Sequence, residues 1–488
     1  IVYSSTKRNG RDRDFYLMDP LNPAGEKLIL QNQGGGWGVS DWSPDDTKLL
    51  VIQTISVNES NVYLLDLTTS EKKLVSPKIE GEKISNSGGR FSKDGSGIFF
   101  TSDKNSEFKR LIFLDLKSEK ISTLTENINW DVVEFDLSPN KEMLTYVINE
   151  NGNRVVYLHN LISGKTRKLD HLPFGIVRRV VWHNNNEDLA FTFSSAKMNS
   201  DVYSYNIKTK DLERWTFSET AGINTENFSV PKLIKWNSFD GLEITGFLYS
   251  PPKTFTGKRP VIIDVHGGPE AQSIPTFLGR ENYLINELGV AIIFPNKRGS
   301  TGFGKTFVSL DNGFLRENSY KDIVTLIDWI KTQPDLDADR IMITGGSYGG
   351  NVTLYISAFY SDKIACGLSV VGSSNFVTFL ENTADYRRDL RRVEYGDERI
   401  PEMREFLNRI APLNHAEKIK KPLFIVQGAN DPRVPMSESE QLVEKLKSIN
   451  TPVWYLLAKD EGHGFAKRKN VDFEFYSKVM FIKEYLLK

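Results

Sequence analysis

The sequence holds a single cysteine, Cys366, in 488 residues. That excludes an intrachain disulfide framework and any metal site built from several thiolates. The cysteine lies in the apolar run from Ala365 to Val371, the setting of a buried core thiol. No run approaches the roughly 18 consecutive apolar residues that a membrane-spanning helix needs. Neither sign of charge is in excess, with 62 Lys and Arg against 63 Asp and Glu. Such a balance argues against a nucleic acid or an anionic membrane as the main partner. A signal peptide is missing too, but the sequence begins at Ile1 without a methionine, so cytoplasmic, periplasmic and secreted locations all stay open. What remains is a globular composition, 39% hydrophobic and 26% charged, long enough for two or three domains.

The first 225 residues repeat themselves. Segments beginning at Asp41, Arg90, Asp136 and Val181 each offer a polar turn, an apolar strand, a polar hairpin, a second strand and a third short strand. The turn serines Ser43, Ser92 and Ser138 lie 49 and 46 residues apart, and His183 follows 45 later. Repeats of about 40–50 residues built from four strands mark a β-propeller, in which each blade buries its faces against its neighbours. Four full blades are expected, plus one opened midway, because Ile1–Ser5 aligns with Phe99–Ser102 in the second strand of a blade. A propeller protects its edges by closing a ring, so the expectation is a propeller truncated at its amino terminus, with further blades upstream in the natural protein.

Residues 226–488 change rhythm to strands alternating with helices, the pattern of a mostly parallel α/β sheet. Within it, Gly299–Thr306 fits G-x-x-x-x-G-K-[ST], the phosphate-binding loop of nucleotide hydrolases. The context does not follow. Such a loop needs a long helix starting at its Lys-Thr, whereas Phe307–Leu310 runs into the turn Asp311-Asn312-Gly313. The match is expected to be accidental.

Gly345-Gly346-Ser347-Tyr348-Gly349-Gly350 carries more chemistry. An apolar strand precedes it and a helical pattern follows, the context a G-x-S-x-G nucleophile elbow demands. Gly345 and Gly349 flank the turn, and Gly346 and Gly350 add room. A serine hydroxyl is a weak nucleophile and needs a base. Only His266, His415 and His463 occur in this half. His463 lies between two glycines after the last strand and is the candidate; His415 and His266 are read as structural. The acid precedes the histidine in this chain order, and Asp431 fits, in the loop after the penultimate strand. Asp460 and Glu461 are too near His463 to orient it from behind. The His266-Gly267-Gly268-Pro269 turn follows a strand where this fold supplies one backbone oxyanion donor, and the Tyr348 amide is the second.

These motifs, in this order and behind a propeller, resemble the prolyl oligopeptidase family (S9) of serine peptidases, nearest to its acylaminoacyl-peptidase-like branch. The resemblance is most specific in HGGPEAQ from His266, PNKRGSTGFG from Pro295, GGSYGG from Gly345, NDPRVP from Asn430 and DEGHGF from Asp460. It implies an α/β-hydrolase catalytic domain over 226–488 behind a propeller over 1–225. The implied activity is cleavage of short peptides or acyl-peptides through an acyl-enzyme, with no metal or organic cofactor and with the propeller restricting access. In that scheme Ser347 attacks, His463 shuttles the proton, Asp431 orients it, and Gly268 and Tyr348 hold the oxyanion. It also accounts for the phosphate-loop look-alike, since N-x-R-G-S-x-G-[FY]-G is a loop of this family. Asn351 departs from the family by standing where an aromatic residue often follows GGSYGG.

For the substrate, Phe376 and Phe379 are candidate walls of an apolar pocket, with core packing as the alternative. The arginines from Arg387 to Arg392 could grip a carboxylate or be laced to Glu381, Glu394 and Asp397. The same machinery would serve a carboxylesterase, and a catalytically silent peptide-binding protein is the alternative from another class. The oligomeric state is open, a homo-oligomer included.

Overall fold

A computed structural model describes residues 1–488 except Gly35 and His171. The chain divides into two units, Ile1–Gly222 with Gly302–Thr306, and Ile223–Thr301 with Phe307–Lys488.

The first unit is built by a repeated turn. Ser43 Oγ donates to Asp45 Oδ1 (2.5 Å) and accepts from the Lys48 amide (2.8 Å). Ser92 and Ser138 do the same with Asp94 and Asn140, accepting from Gly97 and Met143. A hydroxyl that satisfies both ends of a tight turn fixes where each second strand begins. Four antiparallel four-stranded sheets follow, the first spanning Gly36–Trp42, Lys48–Ser56, Glu59–Asp66 and Lys72–Leu74. A three-stranded sheet, Val2–Ser5, Asp14–Asp19 and Asn22–Leu30, precedes them.

Because side chains alternate across a strand, each sheet feeds two cores. Leu49 and Val51 pack with Phe15 and Ile29 of the preceding sheet, while Leu50 packs with Phe91, Ile98 and Phe100 of the following one. Phe99, next to Phe100, turns the other way onto Val132, Phe135 and Tyr146. Each fully buried side chain of this size contributes about 1.5–3 kcal/mol. The sheets are also stitched by carboxylates. Asp41 Oδ2 accepts from the Phe91 amide (2.8 Å), and Glu134 accepts from the Arg179 and Val180 amides (3.1 and 2.7 Å). The Arg179 and Val180 amides sit at a register shift between Arg178 and Val181 that leaves them without a ladder partner. The unit is a β-propeller built from consecutive blades, as the repeat predicts.

The second unit contains an eight-stranded sheet. In chain order its strands are β1 (Lys232–Asn237), β2 (Glu243–Tyr249), β3 (Arg259–Val265), β4 (Ala291–Asn296), β5 (Leu336–Gly346), β6 (Cys366–Val370), β7 (Leu423–Gly428) and β8 (Val453–Ala458). The spatial order is β1-β2-β4-β3-β5-β6-β7-β8, and every pair from β4 onward is parallel. That is the α/β-hydrolase arrangement. Its helices include α1 (Arg316–Lys331), α2 (Tyr348–Phe359), α3 (Phe376–Asn382), α4 (Asp385–Tyr395), α5 (Met436–Ser448) and α6 (Arg468–Tyr485). Strands buried on both faces read as near-continuous apolar runs: Ile341, Met342 and Ile343 of β5 are all fully buried. Cys366 lies on β6 and is buried, as its sequence setting requires.

Candidate active site

Parallel strands bring their carboxyl ends to one edge of the sheet, which is where functional groups of such folds gather. Ser347 follows the end of β5, Asp431 lies three residues beyond β7, and His463 lies five beyond β8. The Ser347 amide donates to Val370 O at the end of β6 (2.9 Å), and the Val371 amide to Val426 O on β7 (2.8 Å), so these ends are in register.

Ser347 has φ 59° and ψ −117°, a conformation that strains any residue with a side chain. Close packing holds it there. A Cβ on Gly349 would lie 1.9 Å from Val265 O, and one on Gly345 would lie 2.4 Å from the same oxygen. A Cβ on Gly350 would lie 2.7 Å from Gly372 Cα, whereas a Cβ on Gly346 would meet nothing within 4 Å, so the room assigned to Gly346 is not used for packing. The helix α2 starts at once behind the serine, and its first amides have no intrahelical acceptor. Among the described residues the Ser347 hydroxyl makes no hydrogen bond, which leaves it open to a base; such bonds often form only when substrate arrives.

His463 Nδ1 and Asp431 Oδ2 are 2.7 Å apart. The other carboxylate oxygen, Oδ1, accepts from the Arg433 and Val434 amides (2.8 and 3.0 Å), so the acid cannot swing away. Its side chain is fully buried and that of His463 is 14% exposed. With Nδ1–H donating to Asp431, Nε2 carries the free lone pair. The loop bearing the histidine is braced by Glu461, whose carboxylate accepts from the Ala466 and Lys467 amides and from Asn470 Nδ2. Glu461 thus braces the loop's main chain and makes no bond to the ring.

The turn after β3 backs onto the elbow: a Cβ on Gly267 would lie 2.9 Å from Gly346 O and 3.2 Å from Ser347 Cβ. His266 is spoken for. Its Nε2 lies 2.7 Å from Ser300 Oγ, whose hydroxyl donates to Lys297 O (2.6 Å), and burial pushes its pKa down to about 3. His415 is likewise tied, with Nε2 donating to Arg409 O (2.9 Å). Among the described residues, no carbonyl accepts from the Gly268 or Tyr348 amide.

The Tyr348 side chain is fully buried beneath an ion network. Arg316 and Lys297 lie over its ring, 5.1 and 4.6 Å from the centroid, and its hydroxyl meets Ser319 Oγ (2.9 Å). Asp311 accepts from Arg316 (2.7 Å) with Lys297 3.6 Å away, and Asp322 pairs with Arg298 (2.9 Å). Buried charges persist only when paired this closely. Asn351, the departure from the family pattern, is fully satisfied: Nδ2 donates to Ser373 O (2.9 Å) and Oδ1 accepts from Tyr320 (2.7 Å). Phe376 and Phe379 lie on α3, 3% and 4% exposed, with Phe376 stacked between Tyr348 and Tyr395. Their rings are held by core packing. Most arginines of α4 pair with neighbouring acids, Arg388 with Asp385 and Arg392 with Asp389 and Glu398.

The phosphate-loop look-alike has carboxylates where a phosphate would sit. In the first unit, Lys305 Nζ pairs with Glu82 (2.6 Å), and Thr306 Oγ1 donates to Glu107 Oε2 (2.8 Å).

Two family models match, the prolyl oligopeptidase family over residues 275–488 and the prolyl oligopeptidase N-terminal β-propeller domain over residues 31–218. The chain belongs to the prolyl oligopeptidase family. Among its prolyl oligopeptidase relatives, dipeptidyl aminopeptidase BIII of Pseudoxanthomonas mexicana is 30% identical over 416 residues, which cover 79% of this chain and 58% of that protein. Dipeptidyl peptidase family member 6 of Caenorhabditis elegans is 32% identical over 306 residues, covering 57% of this chain and 41% of that protein. The chain therefore spans less than two thirds of these relatives' own lengths. A puromycin-hydrolyzing peptidase of Mycobacterium tuberculosis shares the fold, with TM-score 0.87 at 18% identity, covering 99% of this chain and 78% of that one.

Proposed function

We propose that this protein is a serine peptidase that hydrolyses short peptides or N-acylated peptides through a Ser347–Asp431–His463 triad. Ser347 Oγ attacks the scissile carbonyl while His463 Nε2 takes its proton. The Gly268 and Tyr348 amides receive the oxyanion, and removing one such donor typically costs about 10²–10³ in kcat. His463 then protonates the leaving amine, and water repeats the sequence on the acyl-enzyme. No step calls for a cofactor. Asp431 stabilises the imidazolium that forms at each stage. The propeller restricts entry to short chains.

The observation that carries this proposal is the 2.7 Å contact between Asp431 Oδ2 and His463 Nδ1, which leaves Nε2 as the ring nitrogen with the lone pair. A fluorophosphonate probe should label Ser347 in the folded protein, and no labelling would favour a silent peptide-binding role. Turnover of acyl-peptide anilides beside p-nitrophenyl esters sets the class, since activity on esters alone would make it a carboxylesterase. Digestion of a peptide library then separates release of dipeptides, as the relatives' names describe for them, from release of acylated residues.

A further inference from the structure

One group of buried side chains has no part in the triad yet closes on the turn that bears Gly268. Arg391 on α4 donates from a single nitrogen, Nη1, to Gly268 O (3.0 Å) and Glu394 Oε2 (2.8 Å), with Glu270 Oε2 at 3.5 Å. Tyr395 donates its hydroxyl to the same Gly268 oxygen (3.3 Å). Lys297 Nζ adds a bond to Pro269 O (3.3 Å), and the Thr301 amide one to Glu270 O (3.3 Å). Glu270 Oε1 is buried and finds no donor among the described residues unless Glu394 carries a proton. Two carboxyl groups side by side at 10% and 3% exposure cannot both ionise cheaply.

We propose that Glu394 and Glu270 share one proton and, with Arg391 and Tyr395, fix the Gly268 carbonyl so that the Gly268 amide stays aimed at the oxyanion. Arg391, Glu394 and Glu270 are positioning residues. This rests on the role of Gly268 proposed above. Burial and the facing Glu270 push the Glu394 carboxyl up to about 9. The groups that face it are Glu270 from the turn, Arg391 and Tyr395 on its own helix, and Arg316 on α1 with Asp311 and Lys297 behind. Above that pH the shared proton leaves, two carboxylates compete for Arg391, and the turn loses its grip.

The Glu394→Gln protein keeps a donor for Glu270 and has no proton to lose. Its kcat near neutral pH should stay within a few-fold of the parent, while the fall in kcat as pH rises through about 9 disappears. Arg391→Met should lower kcat about 10²-fold, the scale for a misplaced reacting group, with KM little changed. Affinity for a peptidyl aldehyde, which forms a hemiacetal oxyanion on Ser347, should fall by the same factor, and Arg391→Lys should recover part of both. An unchanged alkaline limb in Glu394→Gln overturns the proposal, as does an Arg391→Met protein with undiminished kcat. An infrared C=O band from a buried protonated carboxyl, lost in Glu394→Gln and on raising pH, checks the shared proton without turnover. If Ser347 fails to label but this band is present, the proposed function fails and the carboxyl pair stands; no such band in the parent overturns the pair itself.

Discussion

The two units solve the same problem, tying strands and loops to one another, with opposite materials. In the propeller, side chains on partly exposed strands and turns cap backbone amides, as Asp41 does for Phe91 and Asp94 for Ser96, and the turn cap recurs at Asp45, Asn140 and Asn185. In the hydrolase unit, ions without solvent contact, Arg316, Lys297 and Asp311, are locked together against the ring of Tyr348, the residue after the elbow serine. The difference teaches that a repeated cap is worth little singly and much collectively, whereas a buried ion cannot be removed alone.

The largest effect should separate chemistry from stability within the hydrolase unit. Ser347→Ala should reduce kcat about 10⁶-fold, and Asp431→Asn about 10⁴-fold by releasing the wrong imidazole tautomer. Thermal melts should show Ser347→Ala as stable as the parent; a large loss of Tm there would mean that the elbow serine is structural. Next comes Arg316→Met, which leaves Asp311 with only the more distant Lys297 and should cost about 3–5 kcal/mol in chemical denaturation. Because Arg316 also lies over Tyr348, kcat should fall with it; stability lost with kcat intact would uncouple the ion network from the site. Asp41→Ala should cost only about 1 kcal/mol, and a loss as great as that of Arg316→Met would erase the contrast between the units.

The smallest effect is set by pH. The Ser96 amide and the Ser92 and Ser96 hydroxyls hold Asp94 down to about 2. A depressed carboxylate contributes stability that is present above its unfolded value near 3.8 and is lost as pH falls through about 2. The Tm gap between the parent and Asp94→Asn should therefore be full at pH 5 and close towards pH 2.

What could be read from the sequence follows the same divide. The turn serines and the alternation of Phe99 and Phe100 are local patterns, and local patterns survive in one dimension. The strained turn at Ser347 is legible from its glycines, and the Asp431–His463 contact from the two loops that follow the last two strands. Arg391, Glu394 and Glu270 were not, since Glu270 and Arg391 lie 121 residues apart and nothing in either segment names the other. Within the arginine run only the structure distinguishes Arg391, turned onto the Gly268 carbonyl, from Arg392, held by surface and buried acids. Phe376 and Phe379 follow a strand end in the place a pocket could occupy, but aromatic stacking on Tyr395 is a tertiary fact with no sequence signal.

The stitching of one sheet to the next has a bearing on ancestry. Glu134 serves amides 45 and 46 residues ahead of it, and Asp136 reaches back to Arg90 at the same interval, so the segment that bears them is joined to both of its neighbours by side chains it supplies itself. Copying such a segment whole inserts a matched pair and leaves its neighbours satisfied, while copying a fraction orphans one of them. Growth or loss of this half of the molecule is thereby quantised, and its lineage should change by entire segments.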